Sequence, residues 1–509
     1  MFAESFSWLM EKITDDYASR ATLTLYSLLI LTSLYAFSVI LKSKKSKAPL
    51  LPPGPRGLPL VGNLLFLKPN LHQFLAKLAI TYGPVLKIQL GRQLCIVLSS
   101  SSVAKEVFTE HDVTFANHDP SAMGLALGFS MVWTPYGATW RMLRKLSFTH
   151  IFRNKRLDST YGIRQREAQQ VVQSIKFLIG KPILIKDYIS SSIFNILSNS
   201  IWGASLVGEE KKQIYSETRK ITQDIFHLLG NPNISDFFPV LSIFDLQRKQ
   251  PKMKKLISRF DEIFDRVFQH SLRAATTETT DTDFLQTCLQ VIKDGDKIDI
   301  AHIKSITLDM LLAGSDSLSN AIEWAFTEVM RRPDIMNKVQ EEINQVVGVN
   351  NPVEEAHLLH LPYLNAVLKE SLRLHPPGPF LVPRCPSESC VVGGYLVPKG
   401  TKILINVWAI QRDPAFWEKP LEFCPERFLG SSCDKFDFKG SDFNYIPFAA
   451  GRRVCPAYPL AERMLPHLLA TLLHSFAWSL PNAEKVDMSE TFTLELKKKI
   501  PLMVFPTAR

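Results

Sequence analysis

Cysteine is scarce in this chain of 509 residues. The seven cysteines are odd in number and spread along the chain. Such sparse, scattered cysteines exclude a disulfide framework and favour a reducing compartment. Zinc binding is another common use of cysteine, but Cys385, Cys390, Cys424 and Cys433 lack the closely spaced pairs that zinc sites generally have. We therefore expect no disulfide framework and place a zinc centre second.

The sequence also lacks an arginine-rich tract and any pattern of interleaved basic and aromatic residues, so it does not favour nucleic acid as a partner. Its formal net charge of +10 instead suits an anionic membrane surface or an acidic protein. Beyond residue 60 there is no internal repeat, low-complexity tract or second linker. With 46% apolar residues the chain can bury a large core, which predicts one large domain.

Long hydrophobic runs are absent except near the start. Residues 21–41 read ATLTLYSLLILTSLYAFSVIL, 21 residues without a charge, which is long enough to span a bilayer as one helix. Acidic residues precede this run, and lysines follow it at positions 42, 44, 45 and 47. Because positive charge stays cytoplasmic, we predict a lumenal segment 1–20, a transmembrane anchor 21–41 and a cytosolic remainder. A cleaved signal peptide would need a basic start and a small-residue cleavage site, and neither is present.

Proline is concentrated directly after the predicted anchor, in the stretch APLLPPGPRGLPLVGN. These prolines cannot continue a helix, so residues 42–60 are predicted to be a basic, proline-rich spacer. The globular domain is expected to comprise residues 61–509.

Most of the remaining sequence has helical periodicity. The stretches 305–332, 333–348 and 362–374 predict helices, and the last two begin with proline at the first helical position. The stretches 85–100 and 390–410 read as strands separated by glycine turns. The sequence therefore predicts a mainly α fold with a minor β part.

One cysteine has unusual neighbours. Cys455 follows Gly451 and Arg453 and precedes Pro456, after which apolar residues recur with helical period. Proline tolerates a first helical turn, so we place Cys455 at a helix N-terminus, where the dipole and free N–H groups favour a thiolate. Gly451 lets the backbone pass close to a flat ligand, and Arg453 offers a fork for a carboxylate. A plain buried cysteine remains the alternative for any single such residue.

The spacing Phe448-x-x-Gly451-x-Arg453-x-Cys455 resembles the cytochrome P450 family of haem-thiolate monooxygenases, and the resemblance to plant microsomal members extends over nearly everything after residue 50. It implies a cytochrome P450 fold preceded by a single transmembrane helix. It also implies haem b, with the iron ligated by Cys455 and with Phe448, Gly451 and Arg453 at the cofactor. The family's usual glycine two residues past the cysteine is Ala457 here.

Three further stretches match the family pattern. KESLRLHPP supplies Glu370 and Arg373, and CPERF supplies Arg427, which the resemblance assigns to a buried structural network. The resemblance places Trp140, Arg144, Arg384 and Arg453 at the haem propionates. LLAGSDSLSNAIEWA supplies the small residues Ala313 and Gly314 beside dioxygen, and the catalytic acid Asp316 and alcohol Ser317 for proton delivery. The family usually has threonine at Ser317. Read singly, each of these residues also suits a surface charge or an ordinary helix.

The resemblance implies an NADPH- and O₂-dependent monooxygenase in the endoplasmic reticulum membrane, with its catalytic domain facing the cytosol. NADPH acts indirectly, through a membrane-anchored NADPH–cytochrome P450 reductase, for which Lys145 and Arg452 are candidate docking residues. The family pattern places nearly all apolar residues around the substrate, namely the stretch 121–133, Leu308, Leu311, Leu312, Ala313, Phe380, Leu381, Val382, Phe492 and Leu494.

Such an apolar lining favours a lipophilic small molecule, and hydroxylation of a plant specialised metabolite, a terpenoid, is the leading interpretation. Oxidation of a phenolic, oxime or alkaloid remains open. Two other classes also remain: a reductase-independent haem-thiolate isomerase or dehydratase, and a non-catalytic haem or lipid carrier. The acid–alcohol pair argues against both.

Overall fold

The structure is a computed structural model that describes residues 26, 33, 49–203, 206, 208–274, 283–293, 298–430, 435–481 and 486–509. The chain divides into two units, Met1–Leu50 and Leu51–Arg509. The predicted anchor, 21–41, lies outside the described residues except for Tyr26 and Ser33, which are helical. Within the described ranges, no helix has both the length and the apolar character needed to cross a membrane.

The second unit is mainly helical. Its α-helices are α1 (Leu71–Tyr82), α2 (Ser101–Thr109), α3 (Ala122–Leu125), α4 (Ala138–Ser147), α5 (Asn154–Ser159), α6 (Tyr161–Lys176), α7 (Ile185–Trp202), α8 (Gly208–Gly230), α9 (Ile234–Phe237), α10 (Lys249–Ala274), α11 (Phe284–Lys293), α12 (Ile300–Arg331), α13 (Pro333–Val347), α14 (Pro362–Leu374), α15 (Val407–Ile410) and α16 (Tyr458–Ser475). Short 3₁₀ segments occupy Leu64–Phe66, Pro239–Phe244, Glu355–His360, Pro425–Phe428 and Gly451–Arg453, and Phe148–Phe152 is a π turn.

The strands are short: β1 (Val85–Leu90), β2 (Gln93–Leu98), β3 (Asn117–His118), β4 (Ile183–Leu184), β5 (Arg384–Cys385), β6 (Cys390–Val392), β7 (Tyr395–Val397), β8 (Lys402–Ile405), β9 (Ala477–Ser479), β10 (Glu490–Phe492), β11 (Leu496–Lys498) and β12 (Met503–Thr507). The largest sheet has the order β1-β2-β8-β5-β3, in which only the pairing of β2 with β8 is parallel. Strands β4, β12 and β9 form a second sheet, and β6-β7 and β10-β11 are hairpins.

The longest helix, α12, runs through the main core. Asp299 caps its start, and the side chain of His302 bonds back to the Asp299 backbone. A glycine costs a helix about 1 kcal/mol relative to alanine, and at Gly314 it has a packing reason. A Cβ there would lie 2.9 Å from Cδ1 of Leu197 on α7, so the glycine allows the two helices to approach closely. Gly314 thus has a packing role, and its predicted role in making room for dioxygen stays a prediction.

Most predicted elements are confirmed. The structure has helices α12, α13 and α14 where the periodicity predicted them, and α13 and α14 begin with proline. The hairpin β1-β2 turns at Gly91, whose φ is +59°. One prediction is wrong at its end, because residues 407–410 form helix α15 rather than strand. The Asn406 side chain accepts a hydrogen bond from the Ala409 N–H and caps this helix, an interaction that strand periodicity hides.

Candidate active site

The cysteine loop, residues 448–457, joins the 3₁₀ turn Gly451–Arg453 to helix α16. The Cys455 N–H donates to the Phe448 carbonyl over 2.9 Å. The ring of Phe448 packs on that of Phe438 at a centroid distance of 4.7 Å. Helix α16 begins at Tyr458, so the predicted helix start at Pro456 is wrong by two residues.

The predicted electrostatic setting of the sulfur survives this shift. Backbone N–H groups of Ala457 and Tyr458 donate to the Cys455 sulfur. Burial nevertheless raises the pKa of the thiol, and these N–H groups and the Arg144 charge offset only part of that effect. A metal cation at the sulfur removes this penalty because coordination deprotonates a thiol. The donor atom and its two N–H groups therefore fit a thiolate bound to iron.

Gly451 has a backbone and packing role in the cysteine loop. Its φ is +67°, which favours glycine. A Cβ there would lie 2.4 Å from Oδ1 of Asp112, which accepts bonds from the Arg452 N–H and guanidinium at 3.1 Å each. The glycine therefore lets the loop approach the Asp112 carboxylate, and its predicted place beside a flat ligand stays a prediction. Ala457 has φ −92°, a conformation that alanine adopts freely, so the backbone does not require the family's glycine here.

Three buried or half-buried arginines, Arg144, Arg384 and Arg453, form what we call the guanidinium cluster. Arg453 donates to three backbone carbonyls at 2.6–2.8 Å, and its guanidinium lies 4.4 Å from the ring centroid of Trp140. Arg144 donates to the Val454 carbonyl at 2.7 Å, beside the cysteine. The structure thus brings together all four residues predicted at the propionates.

In the described ranges no carboxylate pairs with the guanidinium cluster, although the charge of Asp112 partly offsets the lowering of the Arg384 pKa by burial. Burial, together with the charges of Arg384 and Arg144, lowers the pKa of Arg453 to about 9, and burial lowers that of Arg384 to about 10. Within the described part of the chain, none of the three arginines forms an ion pair, and the buried Arg384 Nε has no hydrogen-bond partner. Guanidinium groups bind carboxylates through paired N–H donors. The cluster therefore fits the two carboxylates of a haem.

A second arginine group, the proximal network, is Glu370, Arg373 and Arg427. Glu370 and Arg373 are fully buried on α14, and their paired contacts measure 2.6 and 2.8 Å. Arg427 lies 3.4 Å from Glu370, which also accepts the Cys424 N–H at 2.8 Å. Arg373 donates in addition to the Gln411 and Pro420 carbonyls at 2.8 Å. The network therefore connects helix α14 to the segment 411–427 through several hydrogen bonds.

The middle of α12 presents a small exposed surface. Ala313 is exposed although Leu311 and Leu312 beside it are buried, so an open space reaches the helix at that turn. The Ser317 hydroxyl donates to the Ala313 carbonyl at 2.6 Å, which holds it in one orientation without the methyl group of threonine. Burial raises the pKa of Asp316, against the lowering effect of nearby cations.

Sequence reasoning missed Asp309, one of the most tightly held residues of the site. It accepts bonds from the Ser130 hydroxyl at 2.8 Å and the Met131 N–H at 2.5 Å. The Met131 carbonyl accepts from both Arg453 and Trp140. Met131 therefore connects α12 to the guanidinium cluster. A buried acid at an otherwise apolar helix position is a signal for such a link, but the sequence does not reveal its partners.

The predicted pocket walls divide into two groups. Leu308, Leu311 and Leu312 are buried in the main core, and Phe380 packs edge-on to Phe492 at 5.4 Å in a smaller core beside the large sheet. The remaining positions are at least partly exposed, as are stretches of 121–133 around α3. The apolar character predicted for the lining is present, but several of its members serve the core.

Residues 52–504, nearly the whole described part of the chain, match the family model Cytochrome P450. The chain belongs to the cytochrome P450 family. A flavonoid 3'-monooxygenase from Crocosmia x crocosmiiflora is 38% identical over 499 residues, covering 95% of this chain and 97% of that protein. A geraniol 8-hydroxylase from Catharanthus roseus is 37% identical over 499 residues, covering 96% and 99%. An oryzalexin E synthase from Oryza sativa subsp. japonica is 37% identical over 517 residues, covering 98% and 99%.

Solved cytochrome P450 structures have the same fold. A zebra fish cytochrome P450 with abiraterone aligns with a TM-score of 0.74 at 25% identity, covering 87% of this chain and all of that one. The protein is thus a plant cytochrome P450 monooxygenase. Family and fold imply a cysteine-ligated haem, electrons supplied by a reductase and a small-molecule substrate.

Proposed function

We propose that this cytochrome P450 hydroxylates a lipophilic plant specialised metabolite, a terpenoid, at the endoplasmic reticulum membrane, with its iron ligated by Cys455. The main support for a terpenoid substrate is that the serines around the exposed turn of α12 are already hydrogen-bonded within the protein. Ser315 and Ser317 donate to carbonyls of their own helix, and Ser130 donates to Asp309. Groups paired in this way favour a substrate held by apolar contact.

The relatives support two substrate classes. The name geraniol 8-hydroxylase specifies a terpene alcohol, and the flavonoid 3'-monooxygenases act on phenolics. A flavonoid carries several hydroxyl groups, and each would need a polar partner on entering an apolar site. Paired serines around Ala313 therefore favour the terpenoid class, and phenolic oxidation is the second candidate.

In this proposal each group of residues has one physical task. Bound haem supplies the one-electron and dioxygen chemistry. Cys455 holds the iron, the N–H groups of Ala457 and Tyr458 stabilise negative charge on its sulfur, and the guanidinium cluster neutralises the propionates. Ser317, whose own proton is bound by the Ala313 carbonyl, accepts a hydrogen bond from water, and Asp316 supplies the proton.

The same proposal includes the reductase and the membrane. Lys145 is exposed, and Arg452 keeps an exposed side chain while bound to Asp112, so both are available to an acidic NADPH–cytochrome P450 reductase. The uncharged run 21–41 and the lysines after it support a single anchor with the catalytic domain in the cytosol.

The substrate class is tested in microsomes that contain this protein and a plant reductase, supplied with NADPH and either geraniol or the flavonoid naringenin. We expect an NADPH-dependent hydroxylated product from geraniol, and none from the Cys455→Ala protein. Turnover of naringenin alone would replace the terpenoid class by the phenolic one. Product formation without NADPH or reductase would favour the isomerase class.

Topology is tested by adding protease to intact microsomes. We expect digestion of the globular domain and survival of a small fragment that contains residues 1–41. Protection of the entire chain would refute the cytosolic orientation.

A further inference from the structure

A ladder of polar side chains lies on one face of α12. Asp316, Asn320 and Glu323 are four and three residues apart and therefore share that face. Lys186 of α7 donates to the side-chain oxygen Oδ1 of Asn320 at 2.5 Å and pairs with Glu323 at 3.2 Å. Glu323 also accepts the Leu502 N–H at 3.1 Å. The ladder thus begins at Asp316 and is anchored at its other end by Lys186.

Glu495 reaches this ladder from another element. It lies at the tip of the hairpin β10-β11, where its carbonyl accepts the Thr493 N–H at 3.2 Å. The Asn320 amide donates to its carboxyl oxygen at 2.8 Å. Asn320 is one helical turn beyond Asp316, so the hairpin brings a second carboxyl group beside the predicted catalytic acid.

The charges around Glu495 disfavour its ionised form. In the described ranges Glu495 forms no ion pair, and Lys186, one of the two lysines that act on it, is paired with Glu323. Burial and the negative charge of Asp316 raise the pKa of Glu495 to about 8, against the smaller lowering effects of Asn320, Lys186 and Lys497. Asp316 itself faces Lys186 and Lys497, and also Arg219 of α8. Like charges on two neighbouring carboxyls favour a state in which one of them keeps its proton.

We propose that Glu495 is a positioning residue for proton delivery, whose carboxylic acid keeps a proton beside Asp316 and passes it to that carboxylate, directly or through one water. In this step the O–H bond of Glu495 breaks and an O–H bond forms on Asp316. The resulting Glu495 carboxylate is held by the Asn320 amide and regains its proton from solvent water. This inference rests on the proposed role of Asp316 in proton delivery.

The contacts argue against a purely structural role for Glu495. A carboxylate that only fastened the hairpin would be stabilised by pairing with a cation, as Glu323 is with Lys186. Glu490 on strand β10 of the same hairpin is fastened in another way, by hydrogen bonds to His72 Nε2 at 2.7 Å and to the Gln73 amide at 2.5 Å. Glu495 is instead placed against a neutral amide and another acid. Glu490 therefore offers a matched control for damage to the hairpin.

The first experiment is an infrared pH titration of the purified full-length holoenzyme, comparing wild type with Glu495→Gln and Glu490→Gln. We expect a carboxylic-acid C=O band in the wild type that disappears with a midpoint near pH 8. The band should be missing in Glu495→Gln and retained in Glu490→Gln. An unchanged band in Glu495→Gln would overturn the inference, because glutamine preserves the contact with Asn320 but cannot titrate.

Stability provides an independent readout with a defined sign. A carboxyl whose folded pKa lies above the ordinary 4.5 of glutamate binds its proton more tightly in the folded protein. That contribution is fully present below about pH 4.5 and is lost as the pH rises through about 8. As the pH rises from about 4.5 to about 8, the unfolding temperature of wild type should therefore fall relative to that of Glu495→Gln. A constant difference would contradict a protonated Glu495.

The second experiment measures what fraction of the electrons that the reductase supplies ends in hydrogen peroxide, with NADPH and O₂ as the probes. We expect Glu495→Gln to release several times more hydrogen peroxide per NADPH than wild type, and Glu490→Gln to match wild type. The Asp316→Asn variant distinguishes the proposed role of Asp316 from the inference about Glu495. If it leaves the peroxide yield unchanged, the proposed role of Asp316 fails. If it raises the yield while Glu495→Gln does not, only the inference about Glu495 fails.

Discussion

The proximal network and the guanidinium cluster both bury arginine, and they neutralise its charge in different ways. In the proximal network, Arg373 is bound by the carboxylate of Glu370 and by backbone carbonyls, and both side chains are 0% exposed. In the guanidinium cluster, Arg453 is bound by carbonyls and an aromatic ring alone. In the first group the carboxylate of Glu370 offsets one of the two arginine charges, whereas the second group contains no carboxylate.

This difference separates arginines that hold the fold from arginines suited to a ligand. Carbonyl dipoles satisfy N–H donors but do not cancel a full charge, so a buried guanidinium without a carboxylate keeps an energetic cost. Lowered pKa values for Arg384 and Arg453 have this origin. An anionic group bound at the cluster would remove that energetic cost, and its binding would be stronger for this reason. Four substitutions test the comparison, from the largest expected effect to the smallest.

Glu370→Gln should have the largest effect because it leaves Arg373 buried without its counter-charge. We expect a loss of about 3–5 kcal/mol in the free energy of unfolding, enough to abolish folding or haem loading. Circular dichroism of the expressed protein measures its folding, and its haem content measures haem loading. The control is Glu422→Gln, since Glu422 is exposed and 3.8 Å from Lys419. If Glu370→Gln folded as well as the control, the proximal network would not be structural.

Arg427→Gln should destabilise less, because Arg427 approaches Glu370 only to 3.4 Å while Arg373 keeps its shorter paired contacts. We expect a loss of about 2 kcal/mol, which is typical of one hydrogen bond to a charged group. Denaturant unfolding of Glu370→Gln and Arg427→Gln ranks their losses in the free energy of unfolding. An equal or greater loss than in Glu370→Gln would mean that the glutamate is not the centre of the network.

Arg384→Leu should separate haem affinity from fold stability. The haem-free variant should be as stable as wild type or more so, because the substitution removes a buried charge whose Nε has no described partner. Haem should dissociate about tenfold faster, equivalent to about 1.4 kcal/mol. Haem transfer to apomyoglobin measures this rate, and Arg92→Leu at an exposed position is the control. Destabilised haem-free protein with normal haem retention would reverse the comparison.

Ala457→Gly alters neither arginine group and should have the smallest effect. Position 457 has an ordinary negative φ, so glycine adds only flexibility in the unfolded chain and costs less than about 1 kcal/mol. The red-shifted Soret band of the carbon monoxide complex should be unchanged, whereas Cys455→Ala should lack it. A marked change in Ala457→Gly would show that alanine adjusts the contact of the loop with the haem.

Local signals in the sequence predicted much of the fold and part of the site. Proline at the first position and glycine after the last one predicted the bounds of α13, because both residues act on the backbone of their own segment. The spacing around Cys455 identified the family. By contrast, the packing roles of Gly314 and Gly451 were not predicted, because the atoms that a side chain would strike belong to Leu197 and Asp112, which are remote in sequence.

The sequence by itself determined the helices and hairpins, the cysteine with its motif, and the identity of each buried ionisable residue. Only the tertiary structure decided how those residues are charged and paired. Asp309 meets the N–H of Met131, and Glu495 meets the amide of Asn320, across 178 and 175 positions of the chain. A pKa or a buried charge depends on distances to such remote groups and on exclusion of water, and neither quantity exists until the chain is packed.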